Sequence, residues 1–297
     1  MAGLKQIKNR LNSVLNTRKI TYAMKLVSAA KLQKAQASVV KSREYTKALQ
    51  RIVESLSAEL AGSDLSHALM ERRAEVKKIR ILVIGGSRGL CGGYNANVNR
   101  KIEATIKEIK RSYPAATVDS VLLGRKPAEY FRRLKRPFVK SYETLHEDPA
   151  KWPVEEICQA LEADFIRGEV DQVRLIFTQF KSALNQTVIS EQLLPVDSSV
   201  SGQNQSEASS SGVTLFEPSA EQVFAAIIPR LIRSRVFQGA LDSKASEHGS
   251  RMAAMDAATK NAGEIAHDLK LLRNKVRQSS ITSGLLDIIG GAEALNG

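Results

Sequence analysis

Met252-Ala-Ala-Met-Asp-Ala-Ala-Thr-Lys-Asn-Ala262 and Asn274-Lys-Val-Arg-Gln278 lie in a run from Ser219 to Leu295 that reads as one long helix. Ser219-Ala-Glu-Gln222 opens it as a capping box, in which the serine oxygen and the glutamine side chain satisfy free N–H groups of the first turn. Pro229 permits a kink. From Met255 the apolar positions step by three and four through Ala258, Ala262, Ile265, Leu269, Leu272 and Val276, a seam that needs a partner helix along its length. At 1.5 Å per residue the run spans on the order of 115 Å, against ~50 Å for a compact globule of this chain length. Its end, Ile281-Thr-Ser-Gly-Leu-Leu-Asp-Ile-Ile-Gly-Gly-Ala-Glu-Ala-Leu295, is apolar and is expected to sit inside another protein.

The partner helix is found at the other end of the chain. Between Leu4 and Ala61 there is no glycine or proline, and helix-forming residues dominate, which predicts a single helix of roughly 85 Å. Ile7, Leu11 and Val14 start its seam, Ile20, Met24 and Val27 continue it, and Leu49, Val53, Leu56 and Leu60 finish it. Ala23, Ala30 and Ala37, seven apart, would let a neighbouring backbone come close. The expected arrangement is an antiparallel coiled coil of the two terminal segments, with a domain between them.

The net charge of +13 is concentrated at the amino end, where residues 1–61 hold twelve Lys or Arg against three acids. Such a stripe favours an acidic protein, a membrane surface or a nucleic acid, and charge does not choose among them. The 43% hydrophobic content supports an ordinary core, and 5% aromatics suits coiled-coil helices. Cys91 and Cys158 are too few for a disulfide framework and read as free thiols in a reducing compartment. No apolar run approaches the ~20 residues of a membrane span, so any membrane role is peripheral. The acid-free first 43 residues superficially fit a transit peptide. They run unbroken into the coiled-coil repeat, however, so they read as mature structure and a bacterial type of chain.

Between the helices the pattern alternates. Ile79–Ile84 reads as a buried strand, Asn97–Ser112 as a helix, Ser120–Leu123 as a strand and Lys126–Lys135 as a helix. Phe138–Tyr142 is a strand, Val154–Arg167 a helix, and Val173–Phe180 and Thr187–Leu193 are strands. The fold class is therefore α/β plus coiled coil, with a Rossmann-like domain inserted between the terminal helices. The expected division is 1–61 as the first helix, 62–215 as the globular foot and 216–297 as the second helix. Residues 197–213, rich in serine and lacking aromatics, read as a flexible loop.

The turn Gly85-Gly-Ser-Arg-Gly-Leu-Cys-Gly-Gly-Tyr-Asn95 follows a strand and precedes a helix, where dinucleotide folds cradle phosphate. Its spacing matches neither GxGxxG nor the P-loop, so a tight turn requiring positive φ is the better reading. Cys91 has no base nearby and reads as a buried thiol. His67, His146, His248 and His267 are scattered, lack ligand spacing and read as surface residues, so no metal site is expected. Glu155 and Glu156 read as solvent-facing carboxylates without an acid/base pattern. On residue pattern alone two rivals stay open: a nucleotide-binding α/β protein using the glycine turn, and a basic coiled coil on nucleic acid. Against the second, Tyr22 and Tyr45 are the only rings in the first helix.

The stretch Ile7-Lys-Asn-Arg-Leu-Asn-Ser-Val-Leu-Asn-Thr-Arg-Lys-Ile-Thr-Tyr-Ala-Met-Lys-Leu-Val-Ser-Ala-Ala-Lys-Leu32 resembles the amino-terminal signature of the gamma subunit of F-type ATP synthases. Ser250-Arg-Met-Ala-Ala-Met-Asp-Ala-Ala-Thr-Lys-Asn-Ala262, Asn274–Gln278 and Gly290-Gly-Ala-Glu-Ala-Leu295 resemble its carboxyl-terminal signature. Arg88-Gly-Leu-Cys-Gly-Gly-Tyr-Asn95 resembles the turn of its foot. The resemblance covers both ends and the middle, in the right order.

The resemblance implies a central-stalk rotor subunit, itself non-catalytic and without cofactor. Its helices would turn inside a hexamer of alpha and beta subunits, while its foot sits with an epsilon subunit on the membrane ring of c subunits. Proton flow through the ring would then drive the catalytic sites through ATP synthesis, or hydrolysis would drive it back. The chain would lie peripherally on the cytoplasmic face of the bacterial inner membrane. Met24 and Lys25 would face the acidic loop of the beta subunits, with Arg251 opposite on the second helix. Arg277, Gln278 and Thr282 resemble residues that hydrogen-bond a beta-subunit loop. Leu285, Leu286, Ile288, Ile289 and Leu295 resemble the apolar tip in its bearing. Many family members have an acid where this chain has Gly284, and the glycine weakens the helix there by ~1 kcal/mol. No cysteine pair of the plant-type redox insert is present.

Overall fold

A computed structural model describes residues 2–59, 67–183, 185–196 and 219–296. The chain forms two compact units, one of Met1–Ala29 with Arg251–Gly297 and one of Ala30–Ser250. Two long helices, α1 (Ala2–Glu59) and α5 (Ala220–Asn296), each contribute to both. Leu60 and the 197–213 loop lie outside the described residues.

In the first unit α1 and α5 pair antiparallel, and each step down one is matched by a step up the other. Lys25 meets Asp256, Thr21 meets Thr259, the backbone of Gly263 lies beside Arg18, and Leu11 packs with Ala266 and Leu269. The buried positions of α1 follow strict heptads. Leu11, Leu32, Val39 and Val53 keep one phase, and Thr21, Ser28, Leu49 and Leu56 keep the other. On α5 the phases are Met255, Ala262 and Leu269, and, one step aside, Ala266.

This displaces four positions of the expected seam, while its other described positions are buried or half-buried. Ile20 and Val27 are 61% and 56% exposed, Ile265 and Leu272 are 46% and 45% exposed, and Ala23, Ala30 and Ala37 also face outward. The physical reason is that a heptad alternates steps of three and four, so two stripes one residue apart both satisfy the spacing. Hydrophobicity favoured the stripe with Ile20 and Val27, whereas packing selected the narrower Thr21 and Ser28, which let the helices approach. Thr21 satisfies its hydroxyl on the carbonyl of Arg18 and on Thr259, so its burial leaves nothing unpaired.

The second unit is built on a five-stranded sheet of order β3-β2-β1-β4-β5. β1 (Lys78–Ile84), β2 (Thr117–Leu123), β3 (Lys140–Tyr142) and β4 (Gln172–Phe180) run parallel, and β5 (Gln186–Leu194) pairs antiparallel with β4. The strands and helices lie where the hydrophobic pattern places them, with ends shifted by one to three residues. α2 (Tyr94–Ser112) and α3 (Arg125–Arg133) cover one face through Val98, Ile102, Ile109 and Phe131, packed on Ile79, Ile81 and Val83. α4 (Val154–Ile166) covers the other with Leu49, Val53 and Leu56 of α1 and Ile228, Leu231 and Ile232 of α5, packed on Leu82 and Ile84. β1 is thus buried on both faces, as central parallel strands are. Its Arg80 is buried as well, held by Asp119 of β2 at 2.8 Å and by Asp164 of α4.

Candidate functional site

The sheet order reverses between β1 and β4, and in doubly wound folds the crevice beyond the carboxyl ends of those strands holds a ligand. Here the chain fills it with its own helix. Gly239 of α5 sits so close that a Cβ there would lie 3.2 Å from the Phe177 ring and 3.5 Å from Ile84. β4 runs on past Ile176, its last residue paired with β1, opposite Val83, and α5 supplies the missing partners. Thr178 donates its N–H to Ser243 Oγ at 3.2 Å, Phe180 donates to Asp242 at 3.2 Å, and Ser246 donates to the Thr178 carbonyl at 3.3 Å.

Sequence reading missed this segment because more than half of its residues are polar, although 238–249 are all buried. Within it His248 is buried rather than on the surface, with Nε2 3.1 Å from Glu147, so the surface expectation is corrected for that residue. Glu147 also takes Lys31 at 2.9 Å and lies 3.6 Å from Lys244. Burial pushes the Glu147 carboxyl up, but the Lys31 hydrogen bond and the charges of Lys244, Lys31 and His248 outweigh it and hold the pKa at about 2.

The glycine-rich turn closes on itself. Asn95 accepts from Gly86 N–H and donates to the Arg88 carbonyl, a Cβ on Gly85 would meet the Pro127 ring at 2.9 Å, and Gly124, at φ 107°, lies against the Gly85 carbonyl. Positive φ falls at Leu90 and Gly92, and Cys91 is buried. The turn is a strand-to-helix connection held by its own side chains, and Asn95 takes up the Gly86 N–H. Among the described residues there is no cluster of three metal-binding side chains, and no helix is long and apolar enough to cross a membrane.

The residues singled out on the terminal helices lie in the first unit. Met24 is half-buried, and Lys25 makes a 2.6 Å ion pair with Asp256, which Lys260 also reaches at 3.0 Å. The hydrogen bond to Asp256 holds the Lys25 ammonium above its usual pKa, and Lys25 and then Lys260 hold the Asp256 carboxyl below its own. Arg251 is buried. Lys25 is thus brought to an acid on the second helix that sequence reading did not single out. The signal that could have found it is the i, i+4 spacing of Asp256 and Lys260 opposite a seam lysine.

Carried on at equal rise, the helix pairing sets Ala2 level with about residue 279 of α5. From Ile281 onward α5 therefore continues with no described α1 residue alongside. Arg277, Gln278 and Thr282 are exposed at this point. Beyond it Leu285, Leu286, Ile288 and Ile289 are between 56% and 70% exposed, while the Leu295 side chain lies outside the described residues. At 100° per residue Ile281, Leu285, Ile288, Ile289 and Leu286 form one broad apolar face, with Gln278 and Thr282 inside it. Ser279, Ser280, Ser283, Gly284, Gly290 and Gly291 form the opposite face, small and polar.

The family profile described as ATP synthase matches residues 3–295. The ATP synthase gamma chain of Heliobacterium modesticaldum is 40% identical over 298 residues, covering 99% of this chain and all of the relative. That of Flavobacterium johnsoniae is 42% identical over 302 residues, covering both chains completely. Among solved structures, the rotor of the Euglena gracilis mitochondrial ATP synthase superposes with a TM-score of 0.62 at 15% identity, over 94% of this chain and 99% of that one. The central stalk with c-ring of the Tetrahymena thermophila enzyme superposes with a TM-score of 0.56 at 22% identity, over 80% and 99%. A helix pair ending in an unpaired apolar extension, an α/β unit whose ligand crevice is closed by its own helix, and end-to-end similarity of sequence agree: the chain belongs to the family of ATP synthase gamma chains.

Proposed function

We propose that the chain is the central-stalk rotor subunit of an ATP synthase, turning within a hexamer of alpha and beta subunits and carrying torque between it and the c-ring. The carrying observation is the extension from Ile281 to Ile289, a helix with an apolar face and no α1 alongside, which costs free energy in water unless a partner surrounds it. Ile20, Val27, Ile265 and Leu272 add apolar surface beside the seam of the paired helices, as a shaft running through a protein cavity would carry.

In this reading the gamma chain performs no chemistry itself. Lys25 with Met24 and Arg251 forms the basic collar, Arg277, Gln278 and Thr282 bind a beta-subunit loop, and Leu285, Leu286, Ile288, Ile289 and Leu295 run in the bearing. Segments 1–61 and 216–297 serve as the shaft and 62–215 as the foot, which meets the epsilon subunit and the c-ring. The complex lies on the cytoplasmic face of the bacterial inner membrane. The test is purification of the complex: the chain is expected at one copy per three beta subunits, and its removal is expected to uncouple ATP turnover from proton flow. Met24→Lys should lower coupling more than assembly, because it adds like charge to the collar. Full proton-driven synthesis in a complex lacking the chain would overturn the reading.

A further inference from the structure

Resting on that reading, we propose that Asp256 is a positioning residue that holds Lys25 against the shaft and so sets how strongly the collar grips a partner's carboxylates. Lys25, at a core-facing heptad position of α1, reaches across the seam to Asp256 at 2.6 Å, and Lys260 reaches the same carboxylate at 3.0 Å from one turn along α5. One acid therefore serves two cations, and the trio keeps a net positive charge. Both members of the Lys25–Asp256 pair are about one-third exposed, at 35% and 33%. An exposed ion pair is weak and exchanges readily, so Lys25 is kept from a passing carboxylate without being locked away from it.

The surroundings make this acid distinctive. Along α1 no acid precedes Glu44, and on α5 the next acids after Asp256 are Glu264 and Asp268, two and three turns further on. Arg251, the other collar cation, is buried and less able to reach outward. For a turning shaft the consequence is kinetic. A free lysine would hold each acidic loop it meets, and every release would slow the next step. An internal carboxylate that receives the lysine back lowers that barrier, because one ion pair forms as the other breaks.

The experiment uses the assembled complex of this chain with its alpha and beta subunits, measuring steady-state ATP hydrolysis and rotation of an attached probe across ionic strength. Asp256→Asn is expected to slow rotation roughly two- to fivefold at low salt, the factor an exposed ion pair supplies, with the difference fading as salt screens the lysine. Asp256→Glu should restore the rate. In a Lys25→Gln background Asp256→Asn should slow rotation less, since of the two cations it releases only the more exposed Lys260 is left. Equal slowing in both backgrounds, or slowing that persists at high salt, would overturn the proposal and leave the rotor reading intact. Absence of rotation with the unmodified chain would instead overturn that reading.

Discussion

Asp242 of α5 accepts the backbone N–H of Phe180 on β4 at 3.2 Å, standing in for a neighbouring strand beyond the end of the β1 pairing. The same carboxylate takes Arg43 of α1 at 3.1 Å and Gln238 at 2.8 Å, so one buried side chain joins the sheet to both long helices. Asp242→Ala leaves the buried Phe180 amide without this acceptor, while Arg43, partly exposed, keeps the Phe180 carbonyl, and the change is expected to cost about 1–3 kcal/mol. Urea unfolding of the isolated chain measures it; a loss under about 0.5 kcal/mol, the range of an ordinary surface substitution, would mean that water replaces the carboxylate.

Arg80 is the buried cation of β1, a strand apolar from Ile81 to Ile84, and it is flanked by two carboxylates. Replacing it by leucine leaves Asp119 and Asp164 under-compensated, with only the more exposed Lys78 and Arg167 as cations, and about 3 kcal/mol should be lost. The variant is expected to melt well below the parent in calorimetry. Restoring much of that stability with Asp119→Leu and Asp164→Leu would identify the uncompensated acids as the cause.

Glu147 contributes to the acid dependence, as one of several carboxylates that the fold holds below their usual pKa. Its folded pKa of about 2 lies below the usual 4.5, so the folded state binds its proton less readily than the unfolded chain. Its stabilising contribution is therefore complete above pH 4.5 and is lost as pH falls through about 2. Glu147→Gln should flatten the fall in thermal midpoint over that window. An unchanged slope would assign the acid transition to other carboxylates.

Ending the chain after Ile281 removes a helix segment that touches no α1 residue in the described pairing. The truncated chain should keep its melting temperature and cooperative unfolding by circular dichroism, losing only helical signal in proportion to the residues removed. Its complex with alpha and beta subunits should dissociate faster. A collapse in stability of the isolated chain would show that the tip packs on the chain itself.

Much of this protein was written plainly in its residues. Helix lengths, strand order along the chain and the glycine turn followed from propensity, periodicity and special φ, which depend on near neighbours. The signature stretches at both ends resembled one family, and comparison of the whole chain agrees. Tertiary structure alone decided three things. It chose Thr21 and Ser28 over Ile20 and Val27 as the buried stripe, because two stripes one residue apart share the same spacing and only the facing helix separates them. It buried the polar stretch 238–249, because the unpaired edge of β4 supplies hydrogen-bond partners that come from distant sequence. And it joined Lys25 to Asp256, far apart along the chain, because an ion pair across a coiled coil exists only once the register of both helices is set.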